Sequence, residues 1–123
     1  MTLQELYDRI DGDYTQATKV LRMDKLIDKH IRRLPNNGVV DKLIAAADTM
    51  DATSLFESAH AIKGVCGNLG LVKLAAAASE ISEEFRPGNP RNFTDGEVKA
   101  KIAGISELYE KTKAEINNYE ASL

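Results

Sequence analysis

The last third of the chain carries one apolar stripe that continues for about six helical turns. The stripe follows Thr94-Asp-Gly-Glu97, which has the form of a capping box, where side chains at both ends bond the free backbone N–H groups of a helix start. Its members step by four and three residues: Val98, Ile102, Ile105, Tyr109, Thr112, Ile116 and Tyr119. A helix this long with a single apolar face has to bury that face against other helices, so the stripe predicts a helical bundle.

The same spacing recurs in shorter segments upstream. Thr2-Leu-Gln-Glu5 is a capping box for a short helix that ends at Gly12, and Asp13 caps a second short helix that runs to about Arg22. Turn-forming residues interrupt the pattern at three further places: Pro35–Gly38, Asn68–Gly70 and Pro87–Pro90. No segment alternates apolar and polar residues as a strand would, so we predict an all-α fold.

The length of 123 residues is typical of one domain. We therefore predict a single domain over residues 1–123, in which residues 23–119 form an antiparallel four-helix bundle and residues 1–22 form short capping helices. The hydrophobic share of 43% is ordinary for a folded globular protein. No run approaches the roughly 20 apolar residues of a membrane span, so we expect no membrane partner.

Charge and cysteine content exclude further classes. The net charge of −3 offers no basic field for nucleic acid, so no nucleic-acid partner is expected. Cys66 is the only cysteine, which rules out an internal disulfide and fits a cytoplasmic protein. Its place on the apolar stripe predicts a buried residue without a redox role.

The segment from Ala52 to about Gly67 is predicted to be a helix capped by Asp51, with His60 on its outer face. On a wheel of about 100° per residue, His60 lies about 140° from the apolar stripe, with Gly64 and Gly67 on either side of it. A mid-helix glycine costs about 1 kcal/mol relative to alanine, so these glycines are poor choices for stability alone. They predict that something large approaches His60 closely. Glycine is also common at helix ends, an alternative reason for Gly67, so Gly64 is the more informative of the two.

Lys63 lies one helical turn after His60, where its ammonium can reach a group attached to the imidazole. A free imidazole has a pKa of about 6.5, so a neutral ring nitrogen is available as a nucleophile near neutral pH. The chain has no glycine-rich phosphate loop and no paired acidic metal site. We therefore expect a phosphoryl group to come from another protein.

The segment Ala59-His-Ala-Ile-Lys-Gly-Val-Cys-Gly-Asn-Leu-Gly70 resembles the His-x-x-Lys-Gly core of histidine phosphotransfer (HPt) domains. The resemblance extends over roughly residues 23–119 and implies that His60 is phosphorylated at its outer ring nitrogen. Lys63 would steady the phosphoryl group, and Gly64 would admit the partner. Where many members carry a long polar side chain on the following helix, this chain has Ser82.

The same resemblance implies the partners of the chain. These are the receiver domain of a response regulator, a hybrid sensor histidine kinase, or both. The Mg²⁺ of the reaction would belong to the receiver, so no cofactor is expected on this chain, and a monomer is expected. We place Gly67, Phe56, Glu57 and Ser82 with Gly64 around the access and docking surface.

Other polar residues are interpreted structurally. His30 lies on a stripe with Ile27 and Leu34, which predicts a partly buried histidine that needs a hydrogen bond. The acidic side chains of the helix after the motif are interpreted as its solvated face: Glu80, Glu83 and Glu84.

Three alternatives compete with phosphotransfer. An interaction module of the same fold would bind a receiver or kinase without transfer, but the presence of both His60 and Lys63 argues against it. A helical enzyme with His60 as general base would need a concave pocket and a second polar group, and the sequence shows neither. Glu57-Ser-Ala-His60 is also half of a di-iron motif, but such a site needs two copies with both residues pointing inward. This sequence has no second copy, and Glu57 and His60 are predicted to point away from the core, so no metal site is expected.

Overall fold

The computed structural model describes residues 1–123 and contains helices but no strand. The all-α prediction is therefore confirmed. There are seven α-helices and one short 3₁₀ turn: α1 (Leu3–Arg9), α2 (Tyr14–Leu21), α3 (Asp24–Arg33), the 3₁₀ turn (Leu34–Asn36), α4 (Val39–Thr49), α5 (Ala52–Asn68), α6 (Val72–Phe85) and α7 (Asp95–Ala121).

Helices α4 to α7 form the bundle. α5 packs between α4 and α6, and α7 contacts both α4 and α6, so the four helices enclose one apolar core. Arg86, just after α6, lies over the ring of Phe56, near the start of α5. The end of one helix thus meets the start of the other, which makes α5 and α6 an antiparallel hairpin.

The long stripe of α7 faces the core along its whole length. All seven of its predicted members are buried, and the Thr94–Glu97 capping box is present. Two of the buried members are tyrosines whose hydroxyls reach the N-terminal half of the chain. The hydroxyl of Tyr109 donates to the carbonyl oxygen of Pro35 at 3.2 Å, and that of Tyr119 donates to Asp28 Oδ1 at 2.6 Å.

The two N-terminal helices are attached to the turn between α5 and α6. Tyr7 is buried, and its hydroxyl donates to the carbonyl oxygen of Leu69 at 2.7 Å. The backbone N–H of Asp13 donates to the carbonyl oxygen of Gly70 at 2.7 Å. Leu6 belongs to the main core. The capping helices therefore rest on the same turn that ends the helix of His60.

Two polar residues lie differently from the sequence prediction. His30 is exposed and not partly buried, because Ile27 and Ile31 set the core side of α3 and leave residue 30 at its edge. Glu84 is buried at 3% exposure and is not a solvated residue. Its carboxylate accepts hydrogen bonds from the backbone N–H groups of Asn92 and Phe93, so it holds the loop before α7.

Candidate functional site

The two faces of α5 have opposite environments. The inner face is fully buried, while His60 lies exposed on the outer face. The helix begins at a defined residue because the Asp51 side chain accepts the backbone N–H of Ser54 at 2.9 Å. That capping bond lowers the pKa of the Asp51 carboxyl. The residues of the inner face are Leu55, Ala59, Ile62 and Cys66.

The imidazole of His60 is positioned by one ring contact. It stacks on the half-buried ring of Phe56, one turn earlier, with 5.7 Å between ring centroids and 22° between planes. No hydrogen bond joins either of its ring nitrogens to another group of the chain. Packing against Phe56 limits where the ring can turn, and both nitrogens are left for an external partner.

Gly64 and Gly67 leave open space beside His60. A Cβ added to either glycine would meet no heavy atom within 4 Å outside its own helix backbone. The fold therefore has room for a side chain at both positions, and no close packing within the chain accounts for glycine there. These two residues make α5 approachable along the turns that follow the histidine.

Two cations lie near the carboxylate of Glu83 on α6, but only one of them forms an ion pair with it. Arg86 pairs with Glu83 at 2.7 Å, and the half-buried Lys63 lies close enough to influence the same group. The hydrogen bond from Arg86 is the main cause of the lowered pKa of Glu83, and the charge of Lys63 adds to it. Lys63 itself makes no ion pair within 4 Å.

Arg86 extends the site beyond the residues predicted from sequence. Its guanidinium carbon lies 5.4 Å from the centroid of the Phe56 ring, and that ring stacks on His60. The register of the α5–α6 hairpin could have indicated this contact. A turn centred near Gly70 places residues shortly before Pro87 opposite the start of α5.

Comparison with protein families gives a match to the Hpt domain over residues 23–114. The chain belongs to the Hpt domain family. Hpt domains are phosphocarriers that act in phosphorelay signalling and interact with receiver domains and kinases. No curated protein and no solved structure matched the chain.

The remaining predicted site residues of this Hpt domain lie in different surroundings. Glu57 is exposed and lines a groove of about 530 Å³ between α4 and α5, together with Lys42 and Ala61. Ser82 is fully buried, and its hydroxyl has no hydrogen-bond partner. The prediction that Ser82 borders the docking surface is therefore wrong, because α6 turns this residue into the core between Ile81 and Phe85 and away from solvent.

Two further findings concern the whole Hpt domain. No group of three or more His, Cys, Asp or Glu side chains is placed to hold a metal ion. None of the helices combines the length and the apolar character needed to cross a bilayer. Cys66 is buried, and burial raises the pKa of its thiol to about 12, which keeps the sulfur in the protonated, unreactive form.

Proposed function

We propose that this Hpt domain carries a phosphoryl group on His60 and exchanges it with the aspartate of a receiver domain, in a response regulator or a hybrid sensor histidine kinase. The observation that carries the proposal is the exposed imidazole without a hydrogen bond, next to two glycines that the fold does not require. Nucleophile and access therefore occur together on one helix face. A docked protein surface can bring a phosphoryl group to this face without entering a pocket.

The transfer requires little chemistry from this chain. The neutral imidazole attacks the phosphorus with the lone pair of its outer nitrogen, while the other nitrogen keeps its proton. A nitrogen–phosphorus bond forms as the oxygen–phosphorus bond to the partner's aspartate breaks, and the aspartate leaves as a carboxylate. The reverse reaction uses the same atoms. Catalysis in such a reaction depends mainly on positioning and on nearby charge. We expect the Mg²⁺ to be held by the receiver.

Lys63 supplies the charge for the phosphorylated state. A phosphoryl group on His60 adds negative charge one helical turn from its ammonium, which has no ion-pair partner to give up. Arg86 is paired with Glu83, and its guanidinium contacts the ring of Phe56, which itself packs on His60. The pair of cations favours a site for an anion over a site that only binds a neutral surface.

An interaction module without transfer is the second candidate. It would use the same exposed face and the same glycines. It leaves unexplained why an exposed nucleophile and an unpaired lysine occur together at the centre of the face. The presence of His60 and Lys63 therefore favours transfer.

The test follows a labelled phosphoryl group from a phosphorylated receiver domain to this chain. Each receiver domain encoded in the same genome is first tested with the wild-type chain. The assay then uses the receiver domain that exchanges phosphate with it fastest. His60→Gln should abolish the acid-labile label. His30→Gln is the matched control, because His30 is the other histidine and is also exposed, and it should be labelled like wild type. Undiminished label in His60→Gln would overturn the proposal.

A further inference from the structure

Positive charge is concentrated in one short part of the chain, residues 19–33. This part has six Lys or Arg side chains and two aspartates, while the whole chain has a net charge of −3, so the rest of the chain is strongly acidic. Five of the six cations are exposed and form no ion pair: Lys19, Arg22, Lys25, Lys29 and Arg33. Their charge is therefore available to a partner that carries negative charge.

Three of these cations form a basic row along the outer face of α3. Lys25, Lys29 and Arg33 recur every four residues, so they fall on one side of the helix. The opposite side carries Ile27 and Ile31, which are fully buried. Like charges at this spacing repel one another and weaken a helix. The fold gains nothing from the basic row, which favours a role in binding.

The basic row borders a groove between α3 and the C-terminal end of α7. The groove has a volume of about 510 Å³ and is lined by Lys25, Leu26, Asp28, Lys29, Arg32, Arg33 and Glu120. Arg32 pairs with both carboxylates of the groove, Asp28 at 3.3 Å and Glu120 at 3.7 Å. Asp28 also accepts the hydroxyl of Tyr119. The three cations of the row remain unpaired, so the groove is suited to an anion such as a phosphate group.

The turn that leads into α3 adds exposed apolar side chains to this basic surface. Val20 is 41% exposed and Met23 is 55% exposed, and Arg22 lies between them in the chain. They are two of the four exposed large apolar side chains of the protein. Apolar side chains among cations are typical of surfaces that lie on a membrane, where the apolar groups enter the headgroup region and the cations contact lipid phosphates.

We propose that residues 19–33 bind the surface of a bilayer that contains anionic lipids, with a lipid phosphate in the groove beside α3. A single small anion would need only the groove, but the exposed cations extend beyond it to Lys19 and Arg22. Along α3 alone, Lys25 and Arg33 lie about 12 Å apart. A surface with many phosphates matches this spread of charge better than one soluble ligand does.

Binding to a lipid surface is compatible with the rest of the molecule. The expectation of no membrane partner concerned a spanning segment, and no helix could cross a bilayer. A contact with the lipid surface needs no such segment. No residue of α5 lines the groove, so the groove can bind lipid without using the face that carries His60. The proposal is therefore independent of the proposed function.

The experiment measures sedimentation of the protein with vesicles of phosphatidylcholine, alone or mixed with an equal amount of phosphatidylglycerol. Wild type should bind the anionic vesicles at least tenfold more tightly, and added salt should weaken this binding. The double variant Lys29→Glu, Arg33→Glu should bind them at least tenfold more weakly than wild type. Far-UV circular dichroism shows that each variant is folded.

The matched control is the double variant Lys42→Glu, Lys99→Glu. Both lysines are exposed and unpaired, they lie on α4 and α7, and the change in charge is the same. Its binding to anionic vesicles should stay within threefold of wild type.

Each of the other results would overturn the proposal. Equal weakening in the two double variants would reduce the effect to overall charge. Equal binding of wild type to both kinds of vesicle, or to neither, would exclude recognition of anionic lipid. Binding of inorganic pyrophosphate in isothermal titration calorimetry, without binding to anionic vesicles, would assign the groove to a soluble anion. His60 takes no part in these measurements, so none of these results would count against the proposed function.

Discussion

Gly64 and Gly70 lie six residues apart in one motif, but they have different roles. Gly70 has φ +69°, and a Cβ there would lie 2.1 Å from the carbonyl oxygen of Asp13. Gly64 lies inside α5, and a Cβ there would meet nothing within 4 Å. The fold therefore requires Gly70 and does not require Gly64.

The surroundings of Gly70 show why only glycine fits. α5 ends in a Schellman motif, in which the N–H of Leu71 donates to Cys66 and that of Gly70 donates to Gly67. The start of α2 packs directly on this turn through Asp13. One sequence motif therefore combines Gly70, which the fold needs, with Gly64, which the fold leaves open for a partner. Substitutions at the two positions should affect stability and phosphotransfer separately.

The largest effect is expected at Gly70. Gly70→Ala should destabilise the protein by about 3 kcal/mol, since alanine is strained at positive φ and its Cβ overlaps the backbone of Asp13. Gly38→Ala is the control, because Gly38 has φ +72° but open space, and it should cost only about 1 kcal/mol. Urea unfolding measures both. Equal losses would show that the contact with Asp13 is unimportant.

Glu84 belongs with Gly70 as a residue that the fold requires. Burial alone would raise the pKa of its carboxyl, but hydrogen bonds from Phe93, Asn92 and Arg91 outweigh burial and lower that pKa overall. Glu84→Gln should cost about 2 kcal/mol of unfolding free energy at pH 7.

The pH dependence of Glu84→Gln follows from the lowered pKa. The stabilisation by Glu84 is present above the unfolded pKa of about 4.3 and is lost as the pH falls through the lower folded value. The difference between wild type and variant should therefore narrow below about pH 4. Urea unfolding at several pH values measures it. A difference that does not depend on pH would contradict the role of the carboxylate charge.

Lys63 belongs with Gly64, on the side of function. Lys63→Ala should slow phosphotransfer about tenfold, equivalent to about 1.4 kcal/mol of transition-state stabilisation. Its unfolding free energy should change by less than about 0.5 kcal/mol, since Lys63 makes no ion pair. Rapid-quench transfer assays and urea unfolding measure the two quantities. Loss of stability with an unchanged transfer rate would show that Lys63 stabilises the fold and does not contribute to phosphotransfer.

The smallest effect is expected at Ser82. Its buried hydroxyl has no partner, so Ser82→Ala should stabilise the protein by about 0.5 kcal/mol. Phosphotransfer should stay within twofold of wild type, because the hydroxyl does not reach the surface of His60. The same two assays apply. A fivefold slower transfer would give Ser82 a part in the reaction that its burial does not explain.

The sequence was most informative where the helical period was long. Every predicted member of the α7 stripe is buried, because seven positions at alternating steps of four and three define the buried face of the helix. The prediction that His30 is partly buried is wrong, because His30 lies at the edge of a short apolar stripe. Glu84 could not be predicted as buried, because its partners lie in a loop seven to nine residues away: the Arg91 side chain and the backbone N–H groups of Asn92 and Phe93.

The site was partly predictable for the same reason. The position of His60 on the outer face follows from helix geometry alone. The contact of Arg86 with Phe56 depends on the register between α5 and α6, and the burial of Ser82 depends on how α6 rotates against the core. The apolar periodicity of a single helix determines neither the register between two helices nor the rotation of one helix against the core.

The central claim is that the surface beside His60 is kept open for a protein partner and not for the fold. Gly64→Gln tests it most directly when stability and transfer are measured on the same sample. We predict an unfolding free energy equal to wild type or higher by about 0.5 kcal/mol, unchanged phosphorylation of His60 by phosphoramidate, and transfer from the receiver slowed at least 100-fold. Transfer from the receiver at the wild-type rate would contradict the claim.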